Sequence, residues 1–207
     1  MTSIAKQPPA RSLGRPRSAR AHQAILDATI DLFVEQGYQG MSIEGVAARA
    51  GVGKTTIYRR WTSKEDLILD AIEELLFDVH PRDTGSLRDD LADLLVQLQT
   101  VLTSSRFGEV FPRMVPEIAA GSPLGRAWLE QVIEPRFAIL RSMLRRGVDR
   151  GELPKDVDLE VARAMLVSPL ILWKLMRRLT REGARERAER IVDTVLGGLR
   201  VDTGRDR

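Results

Sequence analysis

The stretch 42–64, SIEGVAARAGVGKTTIYRRWTSK, constrains the fold more tightly than any other part of the chain. Ser42 is placed to cap a short helix in which Ile43, Val46, Ala47 and Ala50 recur at helical spacing. Gly51 suits the left-handed residue that ends a helix, and Val52 can plug the gap behind it. Gly53 then stands at the N-cap of a second short helix, where Ile57 and Trp61 lie one turn apart and face inward. Ser63 and Asp66 form a capping box that opens another helix at once, with Lys64 near its positive end. Helices below about 12 residues are marginal in water, so neither short helix can stand alone. Support comes from upstream: over residues 20–36, Ile25, Ala28, Leu32 and Phe33 recur at helical spacing until Gly37 ends the run.

Two short helices joined by a tight Gly-centred turn, the second dense in Lys, Thr, Tyr and Arg, form the layout of a helix-turn-helix. In that motif the second helix enters the DNA major groove. The charge distribution agrees. Residues 1–64 hold ten Lys/Arg against four Asp/Glu, while the remainder holds 22 against 25, so the basic excess stops where the motif stops. A polyanionic partner for that end is the direct implication.

Other chemistries find little support. There is no cysteine, which excludes disulfides and thiolate-metal sites, and His22 and His80 lie far apart without ligand spacing. No nucleophile–base pair or metal cluster stands out, so no catalytic role, metal or cofactor is expected. Gly51-Val52-Gly53-Lys54-Thr55 begins like the tail of a phosphate loop but lacks the upstream Gly and the preceding strand. The N-terminus has no apolar core of a signal peptide, and no apolar run approaches the ~20 residues of a membrane span. A soluble cytoplasmic protein without a membrane partner is expected.

Residues 1–19, with Pro8, Pro9, Gly14 and Pro16, read as a flexible basic arm. Its Gly14-Arg15-Pro16-Arg17 core is similar to short elements that enter the minor groove, which makes Arg15 and Arg17 candidate contacts, against the alternative of an inert solvated tail. Beyond Lys64 the pattern is helical throughout. Helices are expected over residues 65–79, from the Ser86-x-x-Asp89 cap to about 102, over about 107–119 with breaks at Pro112 and Pro116, over 122–150, from Asp156 or Asp158 to about 181, and over about 185–199. The fold class is all-α, divided into the arm (1–19), a three-helix helix-turn-helix DNA-binding domain (20–64) and a helical domain (65–207), which a resemblance of the chain's first third to a known family makes the effector-binding and dimerisation domain.

The segment AILDATIDLFVEQGYQGMSIEGVAARAGVGKTTIYRRWTSKEDL strongly resembles the DNA-binding domain of the tetracycline-repressor (TetR) family. The helix order, the Gly51-Val52 turn, Tyr58, the aromatic Trp61 and the SKEDL continuation match together, over roughly the first third of the chain. The resemblance implies base contacts by Lys54, Thr55 and Arg59, and phosphate contacts by Thr56, Tyr58, Arg60 and Lys64, with Ser42 at the mouth of the preceding helix. Tyr58 has a second reading, packing against the first helix. Glu44 is acidic where some relatives carry a basic contact, so that contact is not carried over.

The resemblance further implies a homodimer on a pseudo-palindromic double-stranded operator, and a small-molecule effector of unknown identity that releases it. The helix starting near residue 159 is apolar around much of its girth, which fits a dimer face. Phe107, Phe111, Met114, Trp128, Phe137, Met165 and Trp173 are the candidate effector contacts, with ordinary core as the alternative. The segment 65–79 is the expected lever between the domains. A ligand-released repressor is the leading reading. A helical carrier that no longer binds an operator, and an activator, stay open.

Overall fold

The computed structural model describes residues 16–76 and 80–199, and among these every element is helical. Helix α1 spans Pro16–Gly40, with a kink at Gly37, whose φ of 70° only glycine adopts without strain. It begins at Pro16, not at residue 20, so the expected arm is shorter than 1–19. Proline suits a first helical position, where its missing N–H would have no partner. Ile25, Leu26, Leu32 and Phe33 form its buried stripe.

Helix α2 (Ile43–Ala50) starts where the Ser42 hydroxyl accepts the Gly45 N–H at 3.1 Å. It ends in a Schellman motif: Gly51 sits at φ 66°, its N–H bonds the Ala48 carbonyl, and the Val52 N–H bonds the Ala47 carbonyl. Helix α3 (Lys54–Tyr58) is five residues long and has no side-chain cap, since Gly53 offers none. Trp61 lies just beyond it, buried, with its indole N–H on Asp70 at 2.8 Å and its ring stacked on His22. Helix α4 (Lys64–Glu73) starts at Ser63, which accepts the Asp66 N–H. The regular helix ends at Glu73, earlier than the expected residue 79, and residues 77–79 lie outside the described set.

The second part comprises α5 (Leu87–Thr103), α6 (Ser105–Ala119), α7 (Pro123–Trp128), α8 (Glu134–Asp149), α9 (Leu159–Leu175) and α10 (Ala184–Leu199). Ser86, Ser122 and Asp158 cap α5, α7 and α9 through their side chains. Helix α5 lies at the centre, against α6, α8, α9 and α10. Helices α1 and α4 reach this part through α6 and α7 respectively.

Three expected boundaries are corrected. Helix α6 runs straight through Pro112 and Pro116, because both rings lie on the exposed side while Phe111 and Met114 hold the other face in the core. The expected helix 122–150 is instead α7, a π-helical turn at Leu129–Ile133, and α8. In an unbroken α-helix the Pro135 ring would clash with the carbonyl of residue 131, and the wider turn removes that clash. Helix α9 stops at Leu175 and not near 181, closed by Arg177 at φ 56° with the Arg178 N–H on the Trp173 carbonyl. No helix of the described residues is long and apolar enough to cross a membrane.

Candidate nucleic-acid interface and effector cavity

Helix α3 is locked from below and open from above. Ile57 is fully buried and Trp61 nearly so, which fixes the roll of the helix, and α2 packs against it. Lys54, Thr55, Tyr58, Arg59 and Arg60 are all exposed, Tyr58 to 55%, so the packing alternative for that ring is not the one adopted. Thr56 is half-buried, and Ser42 is exposed at the start of α2 with its hydroxyl engaged as a cap.

Lys54 and Lys64 already hold protein partners. The Lys54 ammonium lies 2.5 Å from Glu44 Oε1, and that hydrogen bond holds the Glu44 carboxyl below its ordinary range. Lys64 is turned towards the kinked end of α1, donating to the Tyr38 carbonyl at 2.7 Å and the Met41 carbonyl at 3.4 Å, with its charge over the Tyr38 ring. The Arg49 guanidinium, bidentate on Glu35 at 2.7 and 2.8 Å, ties α2 to α1. Arg15 lies outside the described residues; Arg17 falls in the first turn of α1, but its side chain is not described.

A cavity of about 280 Å³ lies between α5, α6, α8 and α9, closed on one side by Leu76. Phe107, Phe111, Trp128 and Phe137, four of the seven candidate effector contacts, line it. Phe107 lies 6.3 Å from Trp128 and 6.1 Å from Phe111, centre to centre. Gly125 permits this closeness, because a Cβ there would stand 2.3 Å from the Glu117 carbonyl oxygen at the end of α6. The other three candidates lie elsewhere. Met114 is fully buried but does not line the cavity. Met165 and Trp173 line a separate open groove between α9 and α10, together with Pro169, Leu172, Arg187 and Ile191. Along the outer face of α9, Val161, Met165, Leu172, Leu175 and Met176 are exposed.

The sequence reading missed Arg136. Among the described residues it is the one charged member of the cavity lining, and it bonds Glu73, the last residue of α4, at 3.0 Å. A signal existed: Val132, Arg136 and Leu140 follow at a spacing of four, so the arginine interrupts an otherwise apolar stripe.

The comparisons with known proteins agree with this geometry. Residues 25–72 match the model for bacterial regulatory proteins of the tetR family, and residues 81–195 match that for a tetracyclin repressor-like C-terminal domain. An HTH-type transcriptional regulator of Bacillus subtilis, YdeS, is 32% identical over 164 residues, covering 79% of this chain and 82% of the relative. A DNA-binding transcriptional repressor, TetR, of Mycobacteroides abscessus is 33% identical over 165 residues, covering 77% and 84%. The chain belongs to the TetR family of transcriptional regulators.

Among solved TetR-family structures, a transcriptional regulator from Mesorhizobium loti superposes with a TM-score of 0.59 at 25% identity, covering 89% of this chain and 97% of that one. The Bacillus subtilis regulator FadR, in complex with stearoyl-CoA, superposes with a TM-score of 0.67 at 19% identity, covering 86% and 98%, which is a likeness of fold. The match over residues 25–72 takes in α2, α3 and most of α1 and α4 as the N-terminal DNA-binding region of this regulator, and the match over 81–195 takes in the helices from α5 onward as its C-terminal domain.

Proposed function

We propose that this TetR-family regulator is a ligand-released repressor that works as a homodimer on a pseudo-palindromic operator. The observation that carries the DNA contact is the two-sidedness of α3: buried Ile57 on one side, and an uncovered Lys-Thr-Tyr-Arg-Arg surface on the other. Arg59 is assigned to a guanine edge, where a guanidinium can bond O6 and N7 together, and Thr55 to a thymine, which offers a methyl and an acceptor. Thr56, Tyr58 and Arg60 are assigned to phosphates, with Lys64 holding α1 and α4 in register beside them.

A single recognition helix reads too few base pairs to be selective. Two-fold pairing puts a pair of such helices in successive major grooves about 34–36 Å apart. Exposed apolar side chains along α9 support this pairing, because a row of them in water is costly and a partner's α9 and α10 would cover it. A molecule in the cavity that binds better to a dimer of the wrong spacing would shift the population away from DNA.

The test is selection of bound sequences from a random duplex library, followed by titration of the selected site. The reading expects a palindromic consensus, protection by two protomers, and a small molecule that raises the operator dissociation constant. An absence of any preferred sequence across ionic strengths would overturn it.

A further inference from the structure

The cavity is small and, apart from one residue, apolar. Its volume of about 280 Å³ is at the lower edge of the ~300–1,000 Å³ of ligand pockets. At ~30 Å³ per water, that is room for roughly nine waters, enough for a short aliphatic or single-ring molecule. A cavity built for a neutral hydrocarbon has no use for a guanidinium in its wall. Arg136 is 29% exposed, at the edge of this space, and two of its donors are engaged: Nη1 on the Val132 carbonyl at 2.7 Å, and Nη2 on Glu73 Oε1 at 3.0 Å. The Glu73 side chain is 52% exposed, so it can turn into water with little loss. A second donor adjoins the same space: Trp128 lines the cavity, and its buried indole N–H has no partner among the described residues.

We propose that the effector of this cavity is a small amphiphilic monocarboxylate whose anionic end displaces Glu73 from Arg136. The inference rests on the ligand-released reading above. Charge decides the class. An arginine fork accepts a carboxylate through two parallel hydrogen bonds, whereas an alcohol offers a single weaker acceptor and an ammonium is repelled. The carboxylate that must leave sits on the last residue of α4, the helix that follows the recognition element directly. Exchange of one carboxylate for another on Arg136 therefore unties α8 from α4. The effector's apolar body meanwhile takes the space between Phe107, Phe111 and Phe137.

Calorimetric titration of the DNA-free protein with octanoate, octanol and octylamine tests this, with phenylpropionate and phenylpropanol as the ring-bearing pair. Each acid is expected to bind roughly tenfold or more tightly than its alcohol, since hydrogen bonds to a charged group discriminate at that level. Arg136→Gln should erase the preference, bringing the acid down to the level of its alcohol, and a thermal melt close to the parent's shows that the variant has kept its fold. Glu73→Gln, by removing the competing carboxylate, should tighten acid binding several-fold. The proposal fails if acid and alcohol bind alike, if octylamine binds best, if the preference survives Arg136→Gln, if Glu73→Gln weakens acid binding, or if none of the probes binds. Operator release is scored separately by fluorescence anisotropy. Acid-selective binding that leaves the operator bound would overturn the regulatory reading and leave the assignment of Arg136 standing.

Discussion

Arg106 on α6 stands 2.6 Å from Asp27 on α1, and its second nitrogen stands 2.7 Å from Asp31, one turn further along the same helix. The next residue, Phe107, is a wall of the cavity. One residue of α6 thus touches the DNA-binding domain while its neighbour lines the cavity. Arg106→Gln is expected to cost under about 1 kcal/mol of stability, as half-exposed ion pairs do, and to leave operator affinity nearly unchanged. The response of that affinity to effector should shrink. Paired operator titrations of variant and parent, with and without ligand, measure both, and an undiminished response would remove α6 from the coupling route.

Arg59→Ala should lose about 1–3 kcal/mol on the selected operator and blur the preference at one base position. On random duplexes the loss should be much smaller. Equal losses on both would reassign Arg59 to the phosphates.

Leu172, 55% exposed on α9, can be replaced by Glu without disturbing the core of a protomer. Leu172→Glu is expected to shift sedimentation from dimer to monomer and to weaken operator binding by tenfold or more, roughly the loss of one of two tethered half-sites. A dimer that persists would move the interface elsewhere.

Arg177 holds a left-handed conformation that costs a non-glycine residue roughly 1 kcal/mol. Arg177→Gly should therefore stabilise the fold by up to about 1 kcal/mol, less whatever glycine gains in the unfolded chain. Urea denaturation reads the difference. A loss of stability would mean that the arginine side chain matters more than its backbone.

The Tyr38 hydroxyl bonds the Glu65 carboxylate, joining the end of α1 to the start of α4. Burial and then the Glu65 bond push the phenol up to about 12. Burial opposes ionisation of Glu65, but the Tyr38 bond, backbone and Ser63 bonds and the Lys64 charge together hold it below its usual range. A raised phenol favours the folded state below pH 10 and loses that advantage as pH climbs towards 12. A lowered carboxyl favours it above about 4.5, and that contribution fades as pH falls further. Tyr38→Phe should flatten the alkaline limb of the stability profile and part of the acid limb. Unchanged limbs in pH-resolved thermal melts would show that the pair contributes nothing.

Local signals were the legible part of this chain. Ser42, Ser63, Ser86 and Ser122 each cap the helix they were read as opening, Asp158 is the one of the two candidate aspartates that caps α9, and Gly51 takes the left-handed turn assigned to it. These depend on a few neighbouring residues, so sequence carries them nearly whole. The failures share a different cause. Whether Pro112 breaks a helix depends on which way its ring faces, and that is settled by what α6 packs against. The π-helical turn before Pro135 and the early stop of α9 at Arg177 are likewise accommodations made in three dimensions. Phe107 and Met114 are both buried aromatic or sulfur-bearing residues of one helix, yet only the first lines the cavity. Composition cannot separate a wall from a filled core, because the difference is an absence of atoms on one side.

The bond between Lys54 and Glu44 bears on how this surface meets a nucleobase. A cation that is already neutralised brings no fresh attraction to a duplex; it must abandon one acceptor before taking another. The exchange comes out ahead only where the groove presents an edge better suited to an ammonium than a carboxylate is. Under the proposed reading of α3 as the recognition helix, Lys54 would stay on Glu44 at every other step along the genome. The pair would then serve as a built-in standard against which each candidate base is weighed, raising the contrast between sites at the expense of grip.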